Sequence, residues 1–170
     1  QLVAEGYLTR NVALLVDRVP GKAKRFETFT AKQVQVVLDG ISTDRNRHAW
    51  HMALAGMRRG EITGQRWADV DFRKRIHIGR TRVDVRGHAL DQTDPKTKSA
   101  ARTLPIPDGL LAELKAAKAR QAAEQLAMGD AYSDHGHVVC NEAGEPYHPS
   151  TLTKLWSAAI RDLDVPQVRL

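Results

Sequence analysis

The sequence predicts an α+β domain that is mostly helical, built as a helical domain with a small antiparallel β-sheet. Four stretches of the 170-residue chain repeat apolar residues at the three- and four-residue spacing of a helix. One stretch in the middle alternates apolar and polar residues, as half-buried strands do. These strands are few, short and close together in sequence, which favours a small antiparallel sheet over a wound parallel one.

Two helices are predicted before the strands. Thr30 and Gln33 match a capping box, in which each side chain satisfies a free amide at the start of a helix. The apolar face behind this box consists of Val34, Val37, Leu38 and Ile41. The second helix presents Trp50, Ala53, Leu54 and Met57 at the same spacing. At this spacing Trp50 is predicted to pack in the core and not to stack on bases.

The strands are predicted between residues 69 and 107. The segment RIHIGRTRVDVRG alternates apolar and polar positions and predicts either a strand pair or one long bent strand. Its apolar positions are Ile76, Ile78, Val83 and Val85. The segment RTLPIP predicts a further short strand.

Two more helices are predicted in the C-terminal third. A long alanine-rich helix should begin at Asp108 and end near Met128. The last helix should follow Pro149, with Trp156 on its apolar face as a packing residue. Between them, the segment HVVC predicts a strand or a buried turn, and its single cysteine, Cys140, is expected to be buried and unreactive.

The domain organisation is read from composition. The segment PGKAKRFE is basic and contains both Pro and Gly, as linkers do. We therefore expect residues 1–19 to end a preceding domain, residues 20–28 to form a linker, and residues 29–170 to form part of a second domain. No run of 18 apolar residues occurs, so a membrane-spanning helix is not expected.

The charge distribution predicts a polyanionic partner. The chain has a formal net charge of +6. Residues 72–102 hold nine Lys or Arg and three Asp, so a charge of +6 falls in this one stretch. A local basic stripe is the electrostatic signature of proteins that bind the phosphate backbone of nucleic acid. The alternative is a solvated basic surface.

Two motifs carry candidate chemistry. In GMRRGEITGQRW, Arg58 follows an apolar helical pattern, which suggests a semi-buried guanidinium paired with Glu61 at i+3. A surface ion pair at a helix boundary is the alternative. In DPKTKSAAR, Lys96 and Lys98 occupy a polar turn between strands, where a solvated turn is again the plain alternative. Together the motifs suit phosphoryl transfer, since arginine can bind two phosphate oxygens and lysine can protonate a leaving oxygen.

The same motifs resemble those of a known family. ALAGMRRGEITGQRWADVDF resembles the first box of the tyrosine recombinases, or phage integrases, which reads G-[LM]-R-x-G-E followed by a tryptophan and an aspartate. DPKTKSAARTLPIP resembles that family's β-hairpin lysine segment. Both boxes occur in the family's order, and the resemblance covers about residues 29–170. It implies a tyrosine-recombinase catalytic-domain fold and site-specific DNA recombination through a 3′-phosphotyrosyl intermediate, without metal or cofactor.

The resemblance also implies roles for single residues. Arg58 would bind the phosphate that is cleaved, and Glu61 would orient Arg58. Lys96 would be the catalytic lysine, with Lys98 as the alternative because the length of this hairpin varies. The residues expected to contact DNA are Arg59, Arg80, Arg82 and Arg102. Trp67 and Asp69 would be structural.

The chain departs from the family pattern at its end. The H-x-x-R box and the nucleophilic tyrosine follow the last helix in the family, and neither is found before Leu170. We therefore expect a fragment that does not cleave DNA. This fragment is expected to be a monomer in solution. The resemblance implies that the full-length form acts as a tetramer on double-stranded DNA in the cytoplasm. A non-catalytic basic DNA-binding module is the alternative. His135, His137 and His148 lack the spacing of zinc sites, so no metal site is expected.

Overall fold

The computed structural model describes residues 27–92 and 101–170, together with the isolated residues 3, 5–7, 9, 10 and 15. The predicted α+β class is confirmed. The helices are α1 (Ala31–Gly40), α2 (Arg47–Leu54), α3 (Arg59–Gly64), α4 (Asp108–Met128) and α5 (Pro149–Ala159). The strands are β1 (Val70–Asp71), β2 (Arg75–Ile78), β3 (Thr81–Val85), β4 (His88–Gln92) and β5 (Arg102–Pro105). Most of the expected tail, residues 1–19, and most of the expected linker, residues 20–28, fall outside the described residues.

The start of α1 follows the predicted capping box. The Thr30 hydroxyl accepts the Gln33 N–H at 3.3 Å, and the Gln33 side-chain oxygen accepts the Thr30 N–H at 2.9 Å. Two free amides of the first turn are thereby satisfied.

Helix α2 is shorter than predicted. It ends at Leu54, because Gly56 adopts a left-handed backbone conformation with φ of +88°. Gly56 N–H donates to the Ala53 carbonyl at 2.9 Å, and Met57 N–H donates to the Met52 carbonyl at 3.1 Å. This is a Schellman turn. Met57 is therefore buried after the helix and not on its face, and the chain reverses direction just before Arg58.

The strands form two antiparallel sheets where one was predicted. The order of the first is β1-β2-β5, and the second contains β3 and β4. The predicted pair Ile76/Ile78 and Val83/Val85 is thus divided between the two sheets at Gly79 and Arg80. β3 and β4 are joined through residues 86 and 87, which both have positive φ (53° and 85°), as a type I′ hairpin turn requires.

The core lies between the helices and the inner face of the first sheet. Trp50 and Trp156 meet with ring centroids 5.3 Å apart, and both are buried, as predicted. Ile76 and Ile78 of β2 join this core, while their neighbours in the strand are exposed. One face of β2, which carries the polar residues, is therefore exposed to solvent. The other face, which carries Ile76 and Ile78, packs the sheet against the helices.

The C-terminal predictions are confirmed. α4 has the predicted bounds, and α5 begins at Pro149. The segment 137–140 is a buried turn held by isolated bridges, Arg66 with His137 and Cys140 with Pro146, and Cys140 is buried. Within the described residues, no helix combines the length and the apolar character needed to cross a membrane.

Candidate functional site

The candidate site lies between the end of α2 and the start of α3. Arg58 is the N-cap residue of α3. Its backbone N–H donates to Glu61 Oε2 at 2.8 Å, and its Nη1 donates to Glu61 Oε1 at 2.9 Å. The predicted pairing of these two residues is therefore confirmed. The Glu61 carboxylate caps the first turn of the helix and fixes the arginine at the same time.

A second arginine binds the same carboxylate. Arg102, the first residue of β5, donates Nη1 to Glu61 Oε1 and Nη2 to Glu61 Oε2, both at 2.8 Å. This bidentate geometry is the strongest arrangement of an arginine and a carboxylate. Arg102 was predicted to contact DNA. Its hydrogen bonds to Glu61 give it a partner inside the protein, and its role in DNA binding stays a prediction. No local sequence signal marks this pairing, because Glu61 and Arg102 lie 41 positions apart in the chain.

Exposure distinguishes the two arginines. The side chain of Glu61 is 9% exposed and that of Arg102 is 29% exposed, whereas that of Arg58 is 75% exposed. The prediction of a semi-buried Arg58 guanidinium is therefore wrong, because Arg102 occupies the inner side of the carboxylate. Among the contacts of the described residues, Glu61 uses only Nη1 of the Arg58 side chain, so Nε and Nη2 can still bind an anion.

The hydrogen bonds among Glu61, Arg58 and Arg102 keep the carboxylate and the guanidinium groups ionised, and the three side chains together carry a net positive charge. Burial of Glu61 raises its pKa, but hydrogen bonds from Arg102 and Arg58 outweigh the burial, so its pKa lies below the usual value. The hydrogen bond to Glu61 raises the pKa of Arg102. Two guanidinium groups share one carboxylate, which leaves one net positive charge beside the exposed donors of Arg58. Such a group suits a phosphodiester, which carries one negative charge.

Helix α3 is held rigidly against β3. A β carbon added at Gly60 would lie 2.5 Å from Thr81 Oγ1, and one added at Gly64 would lie 2.8 Å from the Arg82 backbone nitrogen. Only glycine permits such a close approach of a helix to a strand. The two glycines of GEITG thus place the start of α3, and with it Arg58, at a fixed distance from the second sheet.

Arg59 connects α3 to α5. Its Nη1 donates to Thr153 Oγ1 at 2.9 Å, and the residue is exposed. It therefore lies on the surface beside Arg58, as a DNA contact would require.

The other two arginines predicted to contact DNA have carboxylate partners. Arg80 Nε lies 3.0 Å from Asp69 Oδ2, and Arg82 Nη1 lies 2.6 Å from Asp91 Oδ1. Their role in DNA binding stays a prediction. Asp69, which was expected to be structural, links the two sheets through Arg80, since it precedes β1 and Arg80 precedes β3.

Asp91 forms a cluster that the sequence analysis missed. Besides Arg82, it contacts Arg66 Nη2 at 2.7 Å and His137 Nε2 at 3.0 Å through Oδ2. These residues come from four separate places in the sequence, so no local motif marks them. Burial raises the pKa of Asp91, but the hydrogen bonds from Arg82 and Arg66 outweigh it and lower the pKa. Burial is also the main cause that lowers the pKa of His137 to about 4.

Lys96 and Lys98 lie outside the described residues, so their positions stay predictions. The chain around them is described on both sides: β4 ends at Gln92, and Arg102 begins β5.

Comparisons with known proteins show what the chain is similar to in sequence and in fold. No protein-family model matches the chain. A protein called tyrosine recombinase XerC-like, from Caldanaerobacter subterraneus subsp. tengcongensis, is 30% identical over 183 residues, covering 96% of this chain and 47% of that relative. An integrase from Streptomyces ambofaciens is 28% identical over 153 residues, covering 84% of this chain and 37% of that relative. The chain therefore spans less than half the length of these two relatives.

Solved structures share the fold. The Tn1549 transposon integrase, in complex with transposon right end DNA, matches with a TM-score of 0.65 at 16% identity, covering 89% of this chain and 49% of that chain. XerA recombinase matches with a TM-score of 0.56 at 14% identity, covering 84% of this chain and 44% of that chain.

Proposed function

We propose, because the chain is related in sequence and in fold to the tyrosine recombinases, that it forms the phosphate-binding part of a site-specific DNA recombinase. The full-length protein would cleave and rejoin DNA strands through a 3′-phosphotyrosyl intermediate. The chain described here would supply the groups that bind and activate the phosphodiester.

The observation that carries this proposal is the shared carboxylate of Glu61. Arg102 binds this carboxylate on its buried side. Arg58 binds it on its outer side and extends into solvent, where its Nε and Nη2 can donate to a ligand. An arginine that only stabilised the fold would be expected to be buried with its partner, whereas the Arg58 side chain is 75% exposed and that of Glu61 is 9% exposed. A rigid, exposed guanidinium with a net positive surrounding is the arrangement that binds a phosphate with fixed orientation.

The chemistry follows from these groups. A tyrosine oxygen attacks phosphorus as the bond from phosphorus to the 5′ oxygen breaks, and the tyrosine hydroxyl gives its proton to water. Negative charge spreads over the non-bridging oxygens in the transition state, and Arg58 stabilises it there more than in the ground state. Lys96, or alternatively Lys98, gives its proton to the departing 5′ oxygen. No metal or cofactor is required, since guanidinium and ammonium groups supply the positive charge.

Partner and location follow from the same proposal. The partner is double-stranded DNA, with Arg59 contacting the backbone next to Arg58. We propose that the full-length protein assembles as a tetramer on DNA, that the chain alone is a monomer in solution, and that the protein acts in the bacterial cytoplasm.

The experiment compares Arg58→Gln with the wild type in the full-length protein. Strand cleavage is measured as covalent protein–DNA product on a nicked duplex selected from a random library by binding to the protein. We expect cleavage to fall by about a hundredfold or more, because a fixed donor to the transition state is lost. Binding to a short labelled duplex, measured by fluorescence anisotropy at increasing NaCl, should weaken only modestly. The slope of the logarithm of the binding constant against the logarithm of the NaCl concentration should decrease in magnitude by about 0.9, which is the value expected for one phosphate contact.

The control is Lys115→Gln, which removes the same charge from an exposed position on α4. It should leave cleavage within about twofold of the wild type. Equal losses of cleavage and binding in Arg58→Gln would contradict the proposal and favour a non-catalytic basic DNA-binding module.

A further inference from the structure

The carboxylate of Glu61 binds as many donors as it can accept. Its Oε1 accepts Nη1 of Arg58 at 2.9 Å and Nη1 of Arg102 at 2.8 Å. Its Oε2 accepts the backbone N–H of Arg58 and Nη2 of Arg102, both at 2.8 Å. An ionised carboxylate offers about four acceptor sites. Contacts within the described part of the chain therefore already occupy Glu61, and a further donor would have to displace one of them.

Arg102 is the more firmly held of the two arginines. Its backbone pairs with that of Ile78, a buried residue of β2. Its Nη2 also lies 3.5 Å from the carbonyl oxygen of Gly56, in the turn that precedes Arg58. Its side chain binds both oxygens of the carboxylate and is 29% exposed, whereas that of Arg58 is 75% exposed. Arg102 therefore keeps its two acceptor sites, and Arg58 is limited to the remaining two.

The occupancy of Glu61 determines which donors Arg58 can offer to a ligand. An arginine and an available carboxylate commonly form two parallel hydrogen bonds. Here Arg58 gives Glu61 its backbone N–H and Nη1, while Nε and Nη2 do not take part in this contact. Without Arg102, Nη2 of Arg58 could bind the vacated site on Oε2. The carboxylate would favour this change, because a buried charge that loses a partner is costly.

Arg102 also determines the net charge of the site. Two guanidinium groups and one carboxylate leave one positive charge, whereas Arg58 and Glu61 alone would form a neutral pair. A phosphodiester is attracted less strongly to a neutral pair than to a cation. Loss of Arg102 would thus weaken phosphate binding by Arg58 in two ways, through its donors and through its charge.

We infer that Arg102 is a positioning residue of the proposed reaction: by occupying both oxygens of Glu61, it keeps Nε and Nη2 of Arg58 available to the phosphodiester. This inference rests on the proposed function. Arg102 acts through Glu61 and Arg58, and in this role it does not itself contact the phosphate. It explains how an arginine can bind a phosphate although a carboxylate lies beside it.

The first test compares Arg102→Gln with the wild type in the full-length protein. Cleavage is measured as covalent protein–DNA product on the nicked duplex, and each rate is divided by the folded fraction that urea denaturation gives. We expect cleavage per folded molecule to fall by about ten- to a hundredfold, because Arg58 is drawn onto Glu61 and away from the phosphate.

A second substitution should reverse this loss. Glu61→Gln combined with Arg102→Gln should cleave about tenfold faster per folded molecule than Arg102→Gln alone, since a neutral amide does not capture Arg58. The double variant also leaves no buried charge without its partner, which limits the cost to folding. A substitution that merely weakened the fold, or removed a DNA contact, would not be reversed in this way.

Salt dependence distinguishes an indirect effect from a direct DNA contact. Arg58→Gln, Arg102→Gln and their combination should each lower the magnitude of the salt slope of binding by about 0.9, because both substitutions remove the same phosphate contact. Two separate contacts would instead lower it by about 1.8 in the combined variant.

Arg45→Gln is the matched control for the loss of a structural ion pair. Arg45 binds Glu124 of α4 through both of its Nη atoms, and the two side chains are 20% and 19% exposed. The substitution thus removes a bidentate pair from another part of the fold. We expect a lower urea midpoint, with cleavage per folded molecule within about twofold of the wild type.

The outcomes separate the two proposals. Unchanged cleavage per folded molecule in Arg102→Gln overturns the positioning role and leaves Arg102 as a structural residue. No recovery on adding Glu61→Gln, or a salt slope lowered by about 1.8 in the combined variant, overturns it in favour of a direct DNA contact. In these cases the Arg58 assignment stands if Arg58→Gln remains inactive. Absence of any covalent product from the wild-type protein would instead overturn the proposed function.

Discussion

At the scale of single residues, Glu61 explains why two arginines behave differently. Both bind its carboxylate, yet only Arg58 is left mainly in solvent. The buried carboxylate therefore serves the fold through Arg102 and the surface site through Arg58. Removal of its charge should be costly, because two guanidinium groups would lose their shared partner.

The first prediction concerns this charge. Glu61→Gln should lower the free energy of unfolding by about 2–4 kcal/mol, since an amide cannot accept from both nitrogens of Arg102. Urea denaturation followed by circular dichroism measures it. The control is Glu145→Gln, whose side chain is 54% exposed and lies 3.6 Å from His135. An exposed pair of this kind contributes less than about 0.5 kcal/mol. Equal effects in both variants would show that the Glu61 cluster does not stabilise the fold.

At the scale of secondary-structure elements, the contact of α3 with β3 determines where Arg58 lies. Gly60 and Gly64 bring the helix to the backbone of β3. The Schellman turn at Gly56 ends α2 and reverses the chain, so that α3 starts from a fixed point. Three glycines thus define the geometry of the site, although none of them takes part in its chemistry.

The second prediction tests this contact. Gly64→Ala should destabilise the protein by about 1–3 kcal/mol, because its β carbon would lie 2.8 Å from the backbone of β3 and the strand must move. Gly109→Ala in α4 is the matched control, since its nearest neighbour, His51, lies 3.8 Å away. There, alanine should stabilise the helix by up to about 1 kcal/mol. Opposite signs in thermal or urea unfolding are expected, and a stabilising Gly64→Ala would mean that α3 and β3 are not in close contact.

At the scale of the whole molecule, two buried histidines make stability depend on pH. His48 is 1% exposed, and its Nε2 lies 3.0 Å from the Val138 carbonyl. His48 therefore packs beneath the buried turn 137–140. Burial is the main cause that lowers the pKa of His48 to about 3 and that of His137 to about 4.

The third prediction follows from these values. Below about pH 6.5 the unfolded chain binds protons at both histidines, while the folded chain stays neutral there until about pH 4 or 3. Stability is thus fully present above pH 6.5 and falls as the pH is lowered, by about 1.4 kcal/mol per pH unit for each histidine. The lowered pKa values of Glu61 and Asp91 add a further loss, which begins at lower pH.

Urea midpoints between pH 7 and pH 5 measure this dependence. His48→Gln should remove about half of the slope, since glutamine keeps a donor for the Val138 carbonyl but does not titrate. His88→Gln, at an exposed position of β4, should leave the slope unchanged. An unaltered slope in His48→Gln would show that His48 is not held neutral by the fold.

The sequence by itself determined the local features. The Thr30 capping box, the bounds of α4, the start of α5 at Pro149 and the apolar faces all depend on residues within a few positions of one another. The two boxes and their order likewise indicated the family resemblance, which the sequence relatives and the shared fold confirm. The division of the strands into two sheets was missed, because alternation reports the face of a strand and not its partner.

Only the tertiary structure decided which arginines are paired with carboxylates inside the protein. The sequence placed four arginines together as DNA contacts, but Arg102 binds a carboxylate 41 positions away, Arg80 one that is 11 away and Arg82 one that is 9 away. Arg59 instead meets a hydroxyl 94 positions away and remains exposed. Charge can be counted in a sequence, whereas its pairing depends on which carboxylates the fold brings within reach. That physical difference is why the sequence could indicate a basic site, while the fold alone distinguished the exposed Arg58 from the arginines that hold the protein together.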